Sequence, residues 1–228
     1  VGNAQAKARK LGESLPQKET EGVYDRVIGE DRSMSAEAEI ARGILRPIQI
    51  YPMFENALRA HLGETVTDHI DRVSALWSRF SAEAEKNPDS WISEAKTARE
   101  ISSPGPKNRM IGFPYPKLMN SNNAVDMSAA IILCSVEKAK SLGIEKSRWV
   151  YPWVGTEAND THFVSERENL HSSPAIRIAG RRAIELAGLS PDEIDLVDLY
   201  SCFPSAVQIA ARELGFPLDR PLPCLLYT

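Results

Sequence analysis

Apolar residues recur along this chain in two periods, and its most informative stretch is where one gives way to the other. Ile194, Leu196, Asp198 and Tyr200 alternate with Asp195, Val197 and Leu199, the two-residue period of a β-strand. Both faces are largely apolar, as in a sheet covered on both sides. From Pro204 the period lengthens: Val207, Ala210, Ala211 and Leu214 fall at helical spacing, Pro204 suits a first helical turn and Gly215 a C-terminal cap. Tyr200-Ser201-Cys202-Phe203 is then the loop at the carboxyl end of a strand, where open α/β sheets bind ligands.

The same reading extends upstream. A helix is expected over Pro52 to Leu62, closed by Gly63, and a longer one is marked by Ile70, Val73, Leu76, Trp77, Phe80 and Ala84. Ser33 to Ile40 reads as a capped helix start, and Ser102 to Asn108 as a loop dense in Pro and Gly. Met127 to Cys134 is expected as a strand, Ser135 to Leu142 as a helix capped by Gly143, and Trp149 to Val154 as the next strand. Ser173-Pro174 opens a helix running to Ala187, with Ile178 and Ile184 as core positions on either side of a solvated Arg181-Arg182. Ser190-Pro191 with Glu193 forms a capping box.

Composition narrows the class. The chain has 228 residues, 43% hydrophobic and 25% charged, enough for a domain or a domain with a subdomain. Its net charge of −4, without a Lys/Arg stripe interleaved with aromatics, argues against a nucleic-acid surface. No apolar run approaches the roughly 20 residues of a membrane span, and the N-terminus has no signal-peptide core, so the cytoplasm is expected. Three cysteines without paired spacing, Cys134, Cys202 and Cys224, suit a reducing compartment and exclude a CxxC metal site.

Cys134, in the apolar run from Ala129 to Leu133, is expected in the core. The four histidines lack the HxxxH spacing of a helical zinc site, and no metal is implied. His61 and His69 are expected to face solvent. His162, in the polar loop from Thr156 to Phe163, is the best functional candidate among them, although a structural role is favoured; His171 carries no separate assignment.

These segments, taken together, carry a resemblance. The helix Ser173 to Ala187, the turn Gly188 to Asp195, the strand and the Cys202-Phe203 tetrad resemble the C-terminal half of thiolases. The closest likeness is to the sterol-carrier-protein type and to acetyl-CoA acetyltransferase-like proteins. Tyr115 to Ser135 resembles the Asn-rich loop and strand entering that family's second half-domain, with weaker likeness over Tyr51 to Gly63 and Phe80 to Pro88.

The resemblance implies an α/β, thiolase-like fold with one half-domain plus a helical loop region. Residues 1–46 would be a remnant of the N-terminal half-domain, 47–119 the helical insertion, and 120–228 a truncated C-terminal half-domain. It also implies an acyl-CoA acyltransferase of lipid metabolism with a coenzyme A thioester as substrate and no bound cofactor. Acyl-CoA or CoA is then the expected partner, with homodimers or hetero-oligomers formed through the sheet and neither nucleic acid nor membrane bound. Alternatives are a non-condensing acyl-CoA-binding protein and a thiolase-fold aldolase subunit.

Site roles follow residue by residue. The first tetrad position, His or Asn in the family, helps hold the water that stabilises the thioester oxyanion; here it is Tyr200, followed by Ser201 at the acidic position. Tyr200 and Ser201 are the implied catalytic pair, with the Tyr200 hydroxyl expected in a cleft. Asn120, Asn122, Cys202 and Phe203 are the implied substrate-binding residues. A phenol, with an ordinary pKa of about 10, can donate to an oxyanion at neutral pH. The family's Gly-His-Pro and Cys-x-Gly motifs are absent. A fragment, inactive alone, or an altered reading frame at 221–228 is therefore expected.

Overall fold

The computed structural model describes residues 2–13, 26, 28–122, 125–126 and 128–218, so the sequence of 221–228 and Met127 lie outside the described residues. Two compact units are distinguished: Val1–Val23 with Asn123–Gly155, and Tyr24–Asn122 with Thr156–Thr228.

The larger unit begins with α2 (Glu37–Ala41), after α1 (Gly2–Leu11) of the other unit. Helix α3 (Pro47–Leu62) starts five residues earlier than expected, because Pro47 takes the first-turn position and Pro52 lies inside the helix. Pro52 has no N–H to give the Ile48 carbonyl, and Gly112 fills the space beside it: a Cβ there would stand 2.9 Å from Ile48 O. Gly63, at φ +69, closes α3 as predicted, and Thr65 caps α4 (Val66–Ala84) by accepting the Asp68 N–H at 3.2 Å.

Helix α4 packs on α5 (Ala98–Ser102). A small antiparallel pair follows, β1 (Met110–Gly112) with β2 (Tyr115–Pro116). The expected loop at Ser102 to Asn108 is pinned by Asn108, whose Nδ2 donates to Ile101 O at 3.0 Å and whose Oδ1 accepts the Leu118 N–H at 2.9 Å.

Helix α7 (Pro174–Ala187) is capped by Ser173 and Gly188, and α8 (Pro204–Leu214) ends at Gly215, φ +82, as predicted. The two helices meet where Gly180 faces Leu214, so closely that a Cβ on Gly180 would run into Leu214 Cδ2. Ile178, expected in the core, is exposed; α7 turns Ile176 inward instead, onto Val207, Ala210 and Ala211 of α8. A second cluster gathers Val73, Ile101, Tyr115, Met119 and Phe203.

Residues 194–200 depart from expectation. Val197 and Leu199 are buried while Leu196, Asp198 and Tyr200 are exposed, so the two-residue period survives with one face covered rather than two. Among the described residues this segment makes a single bridge, at Val197, and no named strand.

In the smaller unit, α6 (Val136–Ser141) is capped by Ser135, and Gly143 takes a left-handed φ of +67 beyond it. The flanking strands expected at 127–134 and 149–154 are not formed among the described residues. A strand needs a neighbour's N–H and C=O groups, and an apolar run does not supply them. Ile131, Ile132 and Leu133 are exposed, and so is Cys134, which is therefore not a core residue.

Candidate functional site

The tetrad sits between an aromatic core and an open cavity. Phe203 is enclosed, its ring stacked on Tyr51 with centroids 4.5 Å apart and tilted against Tyr115 at 5.4 Å. Cys202 is half-buried against the same cluster. Its thiol raises the Tyr200 phenol above the ordinary range, with slight burial adding to the effect. Tyr51 is pushed up further, first by burial and then by Cys202. Both phenols are therefore neutral at physiological pH, hydrogen-bond donors rather than bases.

Tyr200 lines a cavity of about 820 Å³ formed by α3, the loop 156–167, α7 and α8. Of the six residues assigned from sequence, it alone belongs to that lining; Ser201, Cys202, Phe203, Asn120 and Asn122 do not. The Asn-rich loop does reach the tetrad, since Ser121 N donates to Cys202 O at 3.0 Å. Asn120 gives Nδ2 to Pro116 O at 2.6 Å, and its buried Oδ1 has no partner among the described residues. Asn122 is exposed.

Sequence reasoning missed the polar wall of the cavity. Asp160 accepts from Ser173 Oγ at 2.5 Å and Ala175 N at 3.0 Å, binding the start of α7, and it pairs with Arg167 at 3.3 Å. The Arg167 guanidinium lies over Phe54, 5.4 Å from the ring centroid. Asp160 was legible as part of the polar loop; nothing in the spacing singles out Arg167. His162 lines the cavity from its exposed position and bonds Ser33 O through Nε2 at 2.8 Å, a tether to the segment before α2. Helix α2 itself is tied where Ser165 N donates to Glu39 Oε1 at 2.7 Å, a bond that draws the Glu39 carboxyl below its ordinary value.

Behind the aromatic core lies a polar network that the sequence did not announce. Glu55, fully buried, accepts from Tyr115 OH at 2.5 Å and Gln208 Nε2 at 2.7 Å, and meets His69 Nε2 at 2.6 Å. His69 reaches Glu64 through Nδ1 at 2.5 Å, and Arg72 grips Glu64 from the other side at 2.6 Å. His69 is thus not solvent-facing: with a carboxylate on each ring nitrogen, it fills an interior position of α4. The signal was its place four residues before Val73 and seven before Leu76, on the apolar face. His61 is exposed and stacks on His171, centroids 3.9 Å apart. Among the described residues no group of three His, Cys, Asp or Glu side chains could hold a metal ion, and no helix is long and apolar enough to cross a membrane.

This arrangement has relatives. Residues 156–218, which hold the cavity loop, α7, the tetrad and α8, match the thiolase C-terminal domain-like family. An acetyl-CoA acetyltransferase of Methanocaldococcus jannaschii is 29% identical over 126 residues, 48% of this chain and 32% of that protein. The acetyl-CoA acetyltransferase of Methanothermobacter thermautotrophicus is 26% identical over 79% of this chain and 44% of its own length. The chain spans less than half of these curated relatives.

Among solved structures, a monomeric SCP2-thiolase like protein type 1 from Mycobacterium smegmatis superposes with a TM-score of 0.67. It is 29% identical, with 83% of this chain and 42% of that chain covered. An Ltp2-ChsH2(DUF35) aldolase superposes at 0.57 with 20% identity, covering 96% of this chain and 60% of its own, a likeness of fold alone. The fold is thiolase-like. Residues 156–218 are similar to the C-terminal domain of thiolases.

Proposed function

We propose that the protein acts on acyl-CoA thioesters, as an acyltransferase-like member of the thiolase superfamily, with the thioester carbonyl presented to Tyr200 at the cavity edge. The observation that carries this reading is the placement of a neutral phenol on the cavity wall, backed by the Cys202 thiol and the Tyr51 and Phe203 rings. A phenol there can donate to a carbonyl oxygen as negative charge develops on it. The apolar wall from Phe54 of α3 and Ile176 of α7 suits the acyl chain. Ser201 is the companion polar group in this reading, and Asn120 and Asn122 would steady the pantetheine arm. A cytoplasmic setting in lipid metabolism, and assembly as a homodimer or hetero-oligomer, belong to the same proposal, with coenzyme A entering only as part of the substrate.

A second reading is favoured by the identity of residue 200 itself. Where the resembling family has His or Asn, a tyrosine suits either the acid of a thiolase-fold aldolase or a non-condensing protein that binds acyl-CoA without transferring the acyl group. The fold likeness to an aldolase supports keeping it.

Tyr200→Phe, made in a full-length relative that carries the rest of the catalytic machinery, separates these readings, because it removes one hydroxyl from a largely exposed ring and leaves packing intact. Loss of an oxyanion donor lowers turnover about 10²- to 10³-fold while acyl-CoA affinity holds. Loss of an aldolase acid also removes one limb of the rate-against-pH curve. Turnover, affinity and pH profile all equal to those of the parent protein would end both roles for Tyr200.

A further inference from the structure

A second cavity, of about 410 Å³, lies between α4 and α8, away from Tyr200. It falls in the size range of small-molecule sites, about 300 to 1,000 Å³. Among the described residues its charges do not cancel. Arg72 commits Nε and Nη2 to Glu64, at 2.6 and 2.8 Å, and Nη1 to Gln208 Oε1 at 2.9 Å, which closes one neutral pair. Arg79 gives Nη2 to an uncharged partner, the Leu218 carbonyl, at 2.5 Å. Arg212 is exposed and forms no ion pair among the described residues. Its neighbour Glu213 is turned to Ser173 N, at 2.9 Å, and to Arg177, at 3.4 Å. Among the described residues, Arg79 and Arg212 thus line the cavity without a carboxylate partner. The surplus is felt nearby: His171 is held below its ordinary value by burial first, then by His61 and by Arg212. The rest of the wall is apolar, with Leu62, Leu76, Phe216 and Leu218 among its residues.

We infer that this cavity binds a single-chain amphiphile with an anionic head, a carboxylate or a phosphate. The head is set against Arg79 and Arg212, with the chain laid along Leu62, Leu76 and Phe216. The site is separate from the one proposed at Tyr200 and stands whether or not that reading does. A guanidinium accepts either head through paired N–H donors. Each methylene buried on the apolar wall adds up to about fourfold in affinity.

Calorimetric titration of the protein with octanoate, octyl phosphate, butanoate, octan-1-ol and inorganic phosphate tests it. Octanoate or octyl phosphate should bind at least about tenfold more tightly than octan-1-ol, butanoate or inorganic phosphate. A preference between the two supported heads assigns the natural ligand to fatty acids or to phosphorylated lipids. Arg212→Ala, at an exposed position, should weaken octanoate about tenfold and leave octan-1-ol unchanged, whereas Arg181→Ala on the exposed face of α7 changes neither. Arg79→Lys, which keeps a donor for Leu218 O, should weaken octyl phosphate to a smaller extent. Equal binding of octan-1-ol and octanoate, or an Arg212→Ala protein that binds octanoate normally, overturns the inference. Displacement of octanoate by coenzyme A also overturns it, since the cavity would then belong to the thioester site.

Discussion

Helix α8 and the segment 128–134 are both apolar, yet one is the most buried helix of the larger unit and the other is exposed along its described length. Val207 and Ala211 of α8 are fully enclosed, whereas Ile131, Ile132 and Leu133 are each more than three-quarters exposed, at 86%, 84% and 78%. The difference lies in where each finds its hydrogen bonds. A helix satisfies its backbone internally, so α8 needed only a capping glycine and an apolar stripe to be placed. An extended segment depends on another strand, and its apolar residues stay exposed until a neighbour is in reach. Hydrophobicity thus specifies burial only for elements whose backbone is already satisfied.

Four measurements break or sharpen that contrast. The largest effect is expected where burial is polar: Glu55→Ala leaves Tyr115, His69 and Gln208 without their shared acceptor beside α8 and should cost about 3 to 5 kcal/mol in urea unfolding. A loss below about 1 kcal/mol would mean that the network is dispensable to α8. Next is a pH effect. Arg72 above all, with His69 adding and partial burial opposing, holds the Glu64 carboxyl down to about 2 against its ordinary 4.5. The unfolded chain therefore binds the extra proton, so the contribution is complete above about pH 5 and is lost as pH falls from about 4.5 to 2. It amounts to at most about 3 kcal/mol, and Glu64→Gln should flatten that acid limb.

Third, Val207→Ala removes two methyl groups from an enclosed site and should cost about 2 kcal/mol. The smallest effect closes the comparison: Ile132→Ala, in the exposed segment, should stay within about 0.5 kcal/mol. An Ile132→Ala loss equal to that of Val207→Ala would show that the segment is covered after all.

The sequence was legible where signals are local. Gly63, Gly188 and Gly215 mark helix ends, Ser173 and Ser135 mark starts, and each was read from its own neighbours. The start of α3 was misplaced because Pro47 and Pro52 send the same signal, and only the packing of Gly112 against Ile48 O explains how the second is accommodated inside the helix. Glu55 went unread, and His69 was misread despite its place on the apolar face, for the opposite reason. A charged residue on an apolar stripe looks like an interruption unless its partners are known, and Gln208 and Tyr115 come from distant parts of the chain. The tetrad was found because a change of period is visible in one dimension. Arg167 was not, since what distinguishes it is Phe54 beneath and Asp160 beside it.

The span of the Glu55 network also sets an order of assembly. Its bonds from Glu55 to His69 and from His69 to Glu64 join residues 14 and 5 apart, within one helical hairpin that can close early. Gln208 joins Glu55 across 153 residues and Arg72 across 136, and Ser205 meets Tyr115 across 90. Closing those long loops carries a larger entropic cost and comes later. On the ribosome, where the N-terminal side emerges first, the α3–α4 hairpin must hold its inner carboxylate short of Gln208 until α8 is synthesised. That waiting period is when the nascent chain is most exposed to misassembly, and the arrival of Gln208 ends it.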